Sequence, residues 1–223
     1  MKKFELTNEF VTNMFGTKLF RIRALVEFGD VEAGELGGYV EKESNLGHDD
    51  NAWVYDNAWV YGNAQVSGNA WVCGNAQVSG NAWVCGNAQV SGNAWVYGDA
   101  QVSGDALVYG NARVYGNALV YDNAWVYGNA RVCGDARVCG NGDYAYAHGF
   151  GSVNRTTTFF RLKDGGVGVR CGCFYGTLAQ FRDKIRETHG ETKKAQEYLM
   201  LADLMELRFE EDENEVGNRK YVE

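Results

Sequence analysis

From Asn51 to Gly140 the same six-residue unit occurs fifteen times without an insertion. The unit is Asn/Asp-Ala-x-Val-x-Gly/Asp, as in Asn63-Ala64-Gln65-Val66-Ser67-Gly68. One unit cannot bury its own apolar residues, so units must stack on one another. Val lies between two variable residues, and alternation along a short strand puts Val on one face and its neighbours on the other. Gly or Asp followed by Asn or Asp then makes the corner, because these residues tolerate the positive φ of a tight bend. Ala follows the corner and also points inward, where only a small side chain fits. The pattern predicts a mainly β solenoid, lined by Val and Ala, with its variable residues outside.

The flanking regions have no such period. Residues 1–46 carry β-like alternation, with Phe20, Ile22, Ala24 and Val26 set against Arg21, Arg23 and Leu25. With the glycine-rich run Gly34–Val40 they form the expected N-terminal β cap, which spares the first coil an open edge. Residues 47–146 form the repeat domain and residues 147–223 a C-terminal module. There Thr156–Lys163 and Val167–Phe174 read as a hairpin. Thr177-Leu178-Ala179-Gln180 is a capping box that opens a helix ended by Gly190. A second helix spans about Thr192–Phe209 and buries Ala195, Tyr198, Leu199, Ala202, Met205 and Phe209. An acidic tail follows from Glu210 to Glu215.

Bulk properties narrow the function. The chain has no proline, which suits an unbroken stack of strands. A net charge of −8 with no long basic run argues against non-specific nucleic-acid binding. No apolar run approaches the roughly 20 residues of a membrane span, and the N-terminus lacks the apolar core of a signal peptide. Cys73, Cys85, Cys133 and Cys139 take the fifth place of their units, interchangeably with Tyr and Ser. They read as free surface thiols in a cytoplasmic protein.

The pattern Val-x-Gly-Asn-Ala-x resembles the hexapeptide repeat of left-handed parallel β-helix proteins. That resemblance implies three units per triangular coil, hence about five coils, left-handed, in a prism roughly 24 Å long at the inter-strand spacing. The flanks Gly34-Glu35-Leu36-Gly37-Gly38-Tyr39 and Cys171-Gly172-Cys173-Phe174 through Thr188-His189-Gly190 resemble phage, prophage and bacterial members described as transferases. Acyl-coenzyme A-dependent acyl transfer, with a histidine base on a loop and a groove between subunits, is what that membership implies.

The residues do not favour that chemistry. The fifteen units contain no histidine and no loop. His48 precedes the first unit and His148 follows the last, and these are the candidates for a catalytic base. His189 precedes a helix-ending Gly, where a cation suits the helix dipole. Cys171-x-Cys173 lacks the second pair of a zinc site. The expectation is no metal and no cofactor.

The outward residues carry more. Taking every third unit as one face turns all six tryptophans outward, a large aromatic area that a second copy, the C-terminal helices or a ligand would cover. Tandem duplication accounts for the same Trp/Gln alternation without any ligand. Arg113 and Arg131 fall one coil apart on one face, beside Trp95 and Tyr115. Like charges so close repel unless an anion or carboxylate intervenes. Arginine beside aromatic rings suits a nucleotide or another small anion, and equally an acidic peptide. The favoured reading is a non-catalytic, homo-oligomeric scaffold or binding protein, phage- or mobile-element-encoded in context. An acyltransferase and a stoichiometric sponge for anionic small molecules are the alternatives.

Overall fold

A computed structural model describes residues 2–150 and 155–210. Beyond Glu210, the expected acidic tail lies outside the described residues. The chain divides into two compact units, Met1–Tyr144 and Ala145–Glu223.

In the first unit each repeat contributes a short strand that pairs in parallel with the strand eighteen residues away, as Trp71 does with Gln89. Three sheets result. One carries Trp59, Gln77, Trp95, Arg113 and Arg131; the second Trp53, Trp71, Gln89, Leu107 and Trp125; the third Gln65, Trp83, Gln101, Leu119 and Arg137. Successive coils share three amide bonds per unit. Trp71 N donates to Ala88 O at 2.9 Å, Cys73 N to Val90 O at 2.9 Å, and Asn75 N to Gly92 O at 2.7 Å. Every repeat Ala and Val is fully buried, at 0% exposure. The predicted Ala and Val lining of the solenoid is therefore that of the structure.

The corners divide their labour more finely than composition suggests. Positive φ belongs to the sixth residue alone, between +53° at Asp56 and Asp122 and +75° at Gly98. Glycine is favoured there because no Cβ opposes that conformation. The Asn or Asp that follows has ordinary φ and bonds along the stack instead. Asn69 Nδ2 donates to Asn87 Oδ1 at 3.0 Å, and Asn87 Nδ2 to Asp105 Oδ1 at 2.8 Å. Side-chain ladders of this kind are a known reinforcement of stacked strands.

The N-terminal residues continue the solenoid. Leu36–Val40 pairs in parallel with Trp59–Val60, adding a sixth parallel rung to the first sheet and bringing the solenoid to about six turns. On its other edge lie Lys18–Ala24 and then Phe4–Thr12, both antiparallel. A register shift between Arg21 and Arg23 breaks the predicted alternation, so Leu19 rather than Phe20 is fully buried with Ile22. Gly37 and Gly38 permit this rung: a Cβ on Gly37 would lie 2.5 Å from Val54 O, and one on Gly38 2.7 Å from Ala58 O. Asn45 stands in for the missing coil elsewhere, its Nδ2 donating to Gly62 O at 3.1 Å and Ala64 O at 2.8 Å.

This cap overturns one expectation. Trp53, expected outside, is 0% exposed. Phe28 meets its ring edge-on at 5.3 Å and Phe4 at 6.2 Å. The residue is outward with respect to its strand and is buried because residues far away in sequence fold over it. Cys133, expected at the surface, is also buried.

From the last residue of the first unit onward, Tyr144–Phe150, Arg155–Arg161, Val167–Cys171 and Phe174–Thr177 form a four-stranded sheet in that order. The expected single strand Val167–Phe174 is broken. Gly172 has φ +59° while Cys173 does not have positive φ, which makes a two-residue turn of the II′ kind between Cys171 and Phe174. Helix α1, Leu178–His189, starts at the predicted capping box: Thr177 Oγ1 accepts from Gln180 N and Gln180 Oε1 from Thr177 N. Helix α2, Lys193–Phe209, packs Ala195, Tyr198, Ala202, Met205 and Phe209 with Phe159, Val169, Phe181 and Ile185, while Leu199 lies at the margin of that core.

Candidate functional site

The stacking places Trp95, Arg113 and Arg131 on adjacent rungs of one sheet, with Trp95 opposite Arg113 and Arg113 opposite Arg131. The Arg113 guanidinium lies 4.9 Å over the Trp95 ring. It thus leans onto the preceding rung and away from Arg131, which relieves part of the repulsion between two cations one strand spacing apart. Among the described residues no carboxylate pairs with Arg113.

Tyr115 lies on the Arg113 strand but packs elsewhere. Its ring stacks flat on Tyr97, with centroids 4.9 Å apart and planes 1° apart. Trp95 meets Tyr97 edge-on at 6.5 Å. Here the strands lengthen to four residues, Trp95–Gly98 and Arg113–Gly116. Tyr97 is the member that sequence reasoning left out, although its eighteen-residue separation from Tyr115 was the available signal. The result is one guanidinium on a partly open aromatic floor, an arrangement suited to a planar or phosphorylated anion.

The histidines are placed differently. His48 Nδ1 accepts from Lys3 N at 3.2 Å, so Nε2 carries the proton and donates to Glu43 Oε1 at 2.8 Å. Its ring stacks on Phe4 at 4.5 Å. Both nitrogens are committed to holding the cap, which leaves no lone pair for base catalysis in this geometry. His148 belongs to the second unit, where Nδ1 lies 2.9 Å from Thr156 Oγ1. His189 ends α1 and stacks on Tyr198. Three thiols of the repeat are not activated: burial raises Cys73 and Cys85, and burial with the Asp143 carboxylate raises Cys139 to about 11. Among the described residues no group of His, Cys, Asp and Glu is arranged to hold a metal ion, and no helix is long and apolar enough to cross a membrane.

A model described as YdcK beta solenoid repeat matches residues 52–68, 64–80, 88–100, 100–114 and 112–128. Trp95, Arg113 and Tyr115 fall inside the matched stretches; Arg131 falls outside them. No curated protein matches the chain. Sequence match and architecture agree on a β-solenoid repeat protein, and that fold is a scaffold whose repeats present side chains in ordered columns.

Proposed function

We propose that the chain is a non-catalytic binding scaffold, and that the column Trp95, Arg113 and Arg131, with the neighbouring Tyr115, takes a small anionic ligand. The observation that carries this reading is the guanidinium of Arg113 lying on Trp95 with no carboxylate partner among the described residues. The repeat interior is filled by Ala and Val, so any ligand must bind outside. We place the protein in the cytoplasm, in keeping with six free cysteines, and infer left-handed winding from the likeness to hexapeptide-repeat proteins. Self-association is also part of the proposal, because Trp83 and Trp125 remain about half exposed, at 51% and 46%. The phage or mobile-element context rests on the flanking resemblance.

The test is native mass spectrometry of protein purified from its host, followed by titration with ATP and with acetyl-coenzyme A. The expected result is an oligomer that binds a nucleotide without turnover. Arg113→Gln with Arg131→Gln should weaken binding at least about tenfold, the loss expected for charge-assisted bonds. Acyl transfer that falls about a hundredfold in His48→Ala or His148→Ala would replace this reading by the acyltransferase one.

A further inference from the structure

The second unit contains a pocket of about 270 Å³ that has no part in the solenoid face. Its apolar walls are Phe174, Phe181 and Tyr198, and its basic groups are Arg155, Lys184 and His189. No Asp or Glu is among its lining residues, in a chain of net charge −8. The basic character is therefore local and runs against the protein as a whole.

The hairpin turn makes room for the strongest of these cations. Gly172 adopts φ +59°, and the Arg155 guanidinium lies against it where a Cβ would otherwise stand. Glycine thus serves both the turn and the close approach of the guanidinium. Among the described residues Arg155 has no ion-pair partner. Lys184 pairs with Glu187 at 2.8 Å, but both side chains are more than half exposed, so the pair is weak and readily exchanged. The Tyr198 hydroxyl donates to Phe150 O at 3.2 Å, which fixes the aromatic wall. Burial raises this phenol to about 12, so the wall stays uncharged.

We infer that this pocket binds a small organic anion, an aromatic or short aliphatic body bearing one carboxylate or phosphate. The body would lie against Phe174, Phe181 and Tyr198, and the anionic group between Arg155 and Lys184. The volume lies just below the roughly 300–1,000 Å³ of drug-sized sites, so the ligand is of metabolite size. Cys173, exposed at the rim, reports occupancy.

The experiment uses the full chain with benzoate, phenyl phosphate, benzyl alcohol and inorganic phosphate as probes. Binding is read by calorimetry and by the rate of Cys173 alkylation with iodoacetamide, followed by mass spectrometry. At least one aromatic anion should bind and slow alkylation, and which one does so separates carboxylate from phosphate recognition. Benzyl alcohol and inorganic phosphate should bind at least about tenfold more weakly, and Arg155→Gln or Lys184→Gln should cost a similar factor. Lys184→Gln lies on an exposed helix surface and keeps the test valid if Arg155→Gln disturbs the turn. Arg113→Gln should leave the protection of Cys173 unchanged. Absence of protection by both anions, equal binding of benzyl alcohol, or indifference to both substitutions in the pocket would overturn the inference. So would equal protection by a peptide of residues 210–215, which would assign the pocket to the chain's own acidic segment.

Discussion

In the middle coils each residue type has one job, repeated: Ala and Val fill the interior, the sixth residue turns the corner, and Asn ties one corner to the next. In the cap each contact occurs once. Gly37 and Gly38 admit a rung that bulkier residues would block, Asn45 supplies two hydrogen bonds in place of a coil, and Lys3 donates to Asp50 O and Ala52 O at 3.2 and 2.9 Å. A repeat spreads stability over near-identical interfaces. A cap concentrates it in particular side chains, and the two regions should therefore answer mutation differently.

Trp53 and Trp83 give the sharpest contrast, because they hold the same third position of the same unit. Trp53 is fully buried beneath the cap, and Trp83 is 51% exposed. Trp53→Ala should lower unfolding free energy by about 3–5 kcal/mol, whereas Trp83→Ala should stay within about 0.5 kcal/mol. Chemical denaturation of both variants decides it; equal losses would mean that the cap does not seal the first coil.

Within the middle coils the decisive direction is inside against outside. Ala94 is fully buried and Gln89 exposed. Ala94→Leu should overpack the interior and cost about 1–3 kcal/mol. Gln89→Ala should be nearly silent in the same measurement, and matching effects would erase the distinction between lining and surface.

The smallest effect concerns the cap's buried cation. Burial lowers Lys3 from its ordinary 10.5 to about 8, against the opposing pull of Asp50 and Asp49. Between those values the unfolded chain holds the proton and the folded chain has lost it, so stability rises with pH. The wild type should gain roughly 1 kcal/mol over Lys3→Met between pH 7 and pH 9. A difference that stays flat, or falls, would show that Lys3 is not desolvated.

These contrasts also explain what could be read from the amino acids. Val and Ala at fixed places reported the interior, since a period of six leaves no other way to bury them. Thr177 and Gln180 announced α1 because a capping box is local. Trp53 was misread for the opposite reason: its own unit is indistinguishable from that of Trp83, and the covering Phe4 and Phe28 are distant in sequence. The Asn ladders depend on register between coils, which composition does not contain. In the candidate site, the column of Trp95, Arg113 and Arg131 followed from spacing. The flat stack of Tyr97 on Tyr115 and the basic pocket around Gly172 required coordinates, because ring orientation and the turn at Cys171-Gly172-Cys173 leave no periodic trace.

Because three units close a coil, length alone sets which side chains become neighbours. Gain or loss of a whole coil would leave every column in place, while gain of a single unit would turn everything downstream by one face. Arg131 stays in the column of Arg113 only while whole coils separate them. The Trp and Gln units alternate with a two-unit step, out of phase with the coil, so Trp71 lies beside Gln89, Trp95 beside Gln77 and Trp83 beside Gln101. The two periods interleave into a chequerboard that keeps each of these aromatic rings next to a polar neighbour. Slippage by a number of units that is not a multiple of three would thus rewrite the outer surface wholesale while the inner one registers nothing, a form of variation that requires no substitution.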